Sequence, residues 1–69
     1  MRVREETLRI LEAHGDLAVE RLRCDAMARS GGNPVEYFAD PCGNITAVVT
    51  TGRGMRLEYS TRSIISAVP

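Results

Sequence analysis

Sixty-nine residues hold nine basic side chains, nine acidic ones and a single histidine, for a formal net charge of zero. That balance removes the general electrostatic case for a nucleic-acid partner. Apolar residues at 43% and charged residues at 26% are ordinary for a globular protein and exclude wholesale disorder.

Residues 1–69 read as one small domain with a marginal core, and such a chain gains from burial against a partner or a copy of itself. All nine basic residues are arginine, which fits GC-rich coding. The first six residues are charged from the start and lack the apolar centre of a secretion signal. No run approaches the roughly 20 apolar residues of a membrane span, so the expectation is a cytoplasmic chain without membrane contact. Cys24 and Cys42 stand apart with no CxxC spacing. They predict two free thiols, Cys24 buried in a helix and Cys42 in a turn, and no metal site.

In chain order, residues 3–14 predict an amphipathic helix with Val3, Thr7, Ile10, Leu11 and His14 on its apolar face and Leu8 at the edge. Gly15 ends it, and Asp16 is placed to cap a second helix over 17–29. That helix carries two apolar stripes. One holds Ala18, Val19, Leu22 and Ala26, the other Leu17, Cys24, Met27 and Ala28. Apolar on two sides, it predicts either a sandwiched position or a surface shared with a second subunit, hence a homodimer.

Ser30-Gly31-Gly32-Asn33-Pro34 breaks the helical half from a β half. Strands are predicted over 35–39, 45–51 and 55–60. Asp40-Pro41-Cys42-Gly43 suits a type I turn, and Gly52-Arg53-Gly54 makes the second reversal. Alternation puts Val35, Tyr37, Ala39, Ile45, Ala47, Val49, Met55, Leu57 and Tyr59 on the face toward the helices. Residues 61–69 fit a short C-terminal helix or a fourth strand equally well. The fold class is therefore α+β, two N-terminal helices packed on a three-stranded antiparallel β-meander.

No catalytic constellation is legible. His14 sits where a helix ends, a favourable place for an imidazolium, with no nucleophile or orienting partner at a recognisable spacing. Gly52-Arg53-Gly54 lacks the lysine and the strand-to-helix context of a phosphate loop. The expectation is a non-enzymatic chain that needs no cofactor. Phe38 and Val48 point outward beside Thr46, Thr50, Arg56 and Glu58, and an aromatic with a valine among polar residues predicts a protein-contact patch. Covering by Ile64, Ile65 and Val68 is the alternative. Small, neutral chains without catalytic residues are typical of phage or bacterial accessory proteins that inhibit a host factor, anti-CRISPR proteins among them; the likeness is one of size and style.

Two segments also resemble winged-helix DNA-binding domains. Residues 10–22, ILEAHGDLAVERL, are similar to the first helix, glycine turn and second helix of that group. Residues 48–59, VVTTGRGMRLEY, are similar to its hairpin wing. The resemblance covers about a third of the chain and implies that Arg53 and Arg56 would touch phosphates or the minor groove. It departs where the group places its reading helix, since Gly31, Gly32, Pro34 and Pro41 stand there.

Overall fold

The chain begins with a strand and not with a helix. The computed structural model describes residues 1–62, in the order β1 (Arg2–Val3), α1 (Glu5–Ala13), α2 (Leu17–Ser30), β2 (Glu36–Ala39), β3 (Ile45–Thr50) and β4 (Arg56–Ser60). The four strands form one sheet in the order β1-β2-β3-β4, every neighbouring pair antiparallel. The α+β class stands as expected from the sequence, with a fourth strand at the beginning of the chain in place of the first turn of helix. The alternatives for residues 61–69 fall largely outside the described residues.

Local chemistry explains most boundaries. Asp16 caps α2, its Oδ1 accepting from the Val19 N–H at 3.1 Å. Gly31 closes the same helix in the left-handed region at φ +61°, and a Cβ there would meet Gly52 N at 3.3 Å. Only glycine suits both the dihedral and the close approach. The β2–β3 connection is the expected type of turn, with Gly43 N–H donating to Asp40 O at 3.0 Å. Asn33 then fastens the next hairpin, its Nδ2 donating to the carbonyls of Thr50 at 2.9 Å and Thr51 at 3.2 Å.

α2 lies on the sheet mainly above β3, and α1 packs against α2. The core is Leu8, Val19, Leu22, Ala26, Tyr37, Ile45, Ala47 and Val49, with Val3, Val35, Ala39, Leu57 and Tyr59 packed against it. Leu8, Leu22 and Val49 are fully enclosed, each contributing about 1.5–3 kcal/mol by burial.

Several expectations are corrected here. α1 starts at Glu5, because Val3 pairs with Tyr37 across the sheet. Its buried side is centred on Leu8, while Ile10 is 59% and Leu11 36% exposed; the residues that looked most amphipathic face solvent. Met55 lies outside β4 and is exposed, since the hairpin is already turning there. Cys24 is likewise exposed. Of the two stripes on α2, only the one carrying Val19, Leu22 and Ala26 meets the core.

Candidate interaction surface

Because both helices lie on one side, the other side of the sheet carries no helix among the described residues. Register defines that outer face. Arg2, Phe38, Thr46 and Ser60 stand opposite one another in one row across the four strands. Glu36, Val48 and Glu58 make the next row, and Thr50 and Arg56 the third. Phe38 and Val48 are diagonal neighbours on adjacent strands, within reach of an aromatic side chain. Both are half-buried, whereas Glu36, Arg56 and Glu58 are exposed.

Four of the five residues expected to touch a partner thus share one face: Phe38, Val48, Arg56 and Glu58. Arg53 does not join them. It lies in the β3–β4 turn, exposed, beyond the end of the sheet. Two further residues belong to the face and were missed. Glu36 flanks Val48 opposite Glu58 and could have been found by continuing the alternation two residues back from Phe38. Arg2 sits beside Phe38 only because β1 is a strand, and no local pattern reports that. The result is a short apolar diagonal, carboxylates on either side of Val48, and arginines at two edges. Ile64, Ile65 and Val68, the alternative cover for this patch, lie outside the described residues.

The helix side carries a second polar group. Arg23 of α2 reaches two carboxylates of α1: its Nη1 donates to Glu5 Oε1 at 3.0 Å, and its Nε lies 2.8 Å from Glu12 Oε2. The second contact is too bent to satisfy the Nε–H as a hydrogen bond, so it acts chiefly through charge. The side chains of Arg23 and Glu12 are only 20% and 15% exposed. Burial disfavours the Arg23 charge, yet the close Glu12 carboxylate, with Glu5 behind it, holds the guanidinium pKa above its usual value.

Two clefts of about 580 Å³ and 290 Å³ open beside this group, sharing Glu5, Val35 and Tyr37 in their walls. Burial of the Tyr37 ring, reinforced by the Glu5 carboxylate and opposed by Arg23, pushes the phenol pKa up. At the opposite end of the molecule the Asp40 carboxylate accepts from the backbone and side-chain amides of Asn44 and from the Cys42 N–H. Those donors hold its pKa below the usual carboxylate value.

Among the described residues no group of three or more His, Cys, Asp or Glu side chains is placed to hold a metal ion. No helix among them is long and apolar enough to cross a membrane. Where a winged-helix domain would carry its reading helix, this chain has the loop after α2 and then β2. Comparison with known proteins finds no matching family model, no matching curated protein and no matching solved structure.

Proposed function

We propose that this chain is a non-enzymatic module that binds a protein partner through the outer face of its sheet, in the manner of small accessory proteins that inhibit or regulate a host factor. The supporting observation is the two-layer architecture, which leaves Phe38 and Val48 adjacent on a face with no helix over it among the described residues.

Size limits the kind of contact. Four strands about 4.8 Å apart and two to six residues long give a flat footprint of roughly 250 Å². A standard interface buries about 800 Å² on each partner. The face therefore acts as the centre of a contact whose rim includes the Asp40–Asn44 turn and the Arg53 hairpin tip. An apolar centre with charged surroundings is the arrangement in which a few residues carry most of the affinity.

Affinity capture from nuclease-treated lysate, compared between wild type and Val48→Asp, tests the reading. Val48→Asp should remove the captured protein while the melting curve stays within a few degrees of wild type, and Phe38→Ala should weaken capture in parallel. Capture that survives both changes would overturn it. So would a salt-dependent, sequence-selective DNA gel shift, which is what the winged-helix resemblance requires.

A further inference from the structure

The two edges of the sheet differ. β1 is two residues long, whereas β4 spans Arg56–Ser60 and no strand pairs with its outer side among the described residues. Ladder phase tells which groups point outward. Thr51 N–H donates to Met55 O at 2.8 Å, and Ile45 N–H donates to Thr61 Oγ1 at 2.9 Å. Antiparallel pairs alternate, so Leu57 and Tyr59 exchange their backbone bonds with Val49 and Ala47 of β3. Arg56 and Glu58 then turn their N–H and C=O groups toward the open edge.

We infer that β4 is the dimerisation edge of this protein and that its occupant is β4 of a second copy, paired antiparallel about a two-fold axis at Leu57. In that register Arg56 stands opposite Glu58 of the second copy, and Glu58 opposite its Arg56. Both are hydrogen-bonded positions, so the two pairs supply about four inter-chain backbone bonds. The same two pairs set opposite charges face to face on the solvent side. Leu57 meets its own copy on the helix side, where it is half-buried in one chain.

Charge selects this register over its neighbours. Moving one step either way along the edge puts Glu58 opposite Glu58, or Arg56 opposite Arg56, and like charges directly opposite are destabilising. Edge strands are normally protected by charges that repel a copy of themselves. An arginine and a glutamate two positions apart do the reverse, because the pattern is complementary to its own two-fold image. The helices leave room as well. α2 lies mainly over β3, so the two copies of α2 would be about three strand spacings, roughly 14 Å, apart, beyond the 8–10 Å at which helix axes pack. The dimer stands whether or not the outer face binds a partner.

Sedimentation equilibrium on the full chain, with its charge variants, tests the inference. Wild type should dimerise in the micromolar range and weaken with added salt. Glu58→Arg and Arg56→Glu, each alone, should raise the dimer Kd by about tenfold or more, since two like-charge pairs replace two opposite ones. The double exchange Arg56→Glu/Glu58→Arg should return the Kd to near the wild-type value. All four positions in the pair are exposed, and matching melting curves would show that each variant folds. A monomer at high micromolar concentration overturns the inference. So does a dimer indifferent to either single reversal, or one that the double exchange fails to restore; those results would move the contact to the exposed stripe of α2.

Discussion

α1 is joined to the rest of the protein by one fully buried residue, Leu8, and by the ion group around Arg23. Replacing Arg23 with methionine keeps most of the apolar stem and removes the charge. Glu5 is 46% exposed and can turn to water, so its loss costs little, less than about 1 kcal/mol. Glu12, at 15% exposed, is left enclosed without a cation. Breaking a fully buried pair costs about 3–5 kcal/mol and an exposed one at most about 1 kcal/mol. An enclosure of this depth lies between, at about 2 kcal/mol. A chain of this length is stable by roughly 3–10 kcal/mol, so Arg23→Met should lower Tm by about 10–15 °C. Circular dichroism melts of Arg23→Met, Glu12→Gln and the double variant complete a double-mutant cycle. The double should be less destabilised than the sum of the singles by about 1 kcal/mol. An Arg23→Met midpoint within 2 °C of wild type, or a cycle that closes additively, would refute the claim that this group holds the two helices together.

Tyr37 makes the fold sensitive to alkali. Its folded pKa is raised by burial first, so the contribution is intact below the unfolded value of about 10 and is lost as pH rises through the folded one. Tyr37→Phe should flatten the stability profile above that pH, and an unchanged alkaline limb in urea titrations would count against the assignment. Thr61 is 4% exposed and its hydroxyl accepts from the Ile45 N–H. Thr61→Val should therefore cost about 1–3 kcal/mol while Thr61→Ser restores the acceptor; equal urea midpoints for the two variants would refute this. Cys24 and Cys42 are free and exposed, so both should react promptly with a thiol reagent in the native protein. Replacing both with serine should leave the midpoint within about 0.5 kcal/mol of wild type, and one slow thiol would contradict the placement.

Features written into neighbouring residues could be read from the sequence. The β-meander, the aspartate cap of α2 and the turn at Asp40 all follow from alternation, capping and turn chemistry. The outer face was legible for the same reason, since Phe38 and Val48 fall on it by strand parity. What escaped depends on residues far apart in the chain. Val3 suits either a helix or a strand, and its pairing with Tyr37 decides the matter. α1 has a clear apolar side at Ile10 and Leu11, yet the carboxylates of Glu5 and Glu12 meet Arg23 and turn the helix so that Leu8 enters the core. Cys24 looked buried because its helix has a second apolar stripe, and sequence cannot say which stripe meets the sheet. Arg2 joined the outer face unannounced, carried there by β1.

β1 also bears on how the chain assembles. The bonds between Met1, just before β1, and Ala39, at 3.0 Å and 2.7 Å, join residues 38 positions apart and enclose both helices in one loop. The β2–β3–β4 meander forms through short reversals, and the docking of α2 on β3 needs only the intervening loop. A two-residue strand returns too few bonds to offset closing so long a loop early. β1 therefore zips last, after α2 has settled on the meander and α1 on α2, and in native-state hydrogen exchange its amides should be among the first to open.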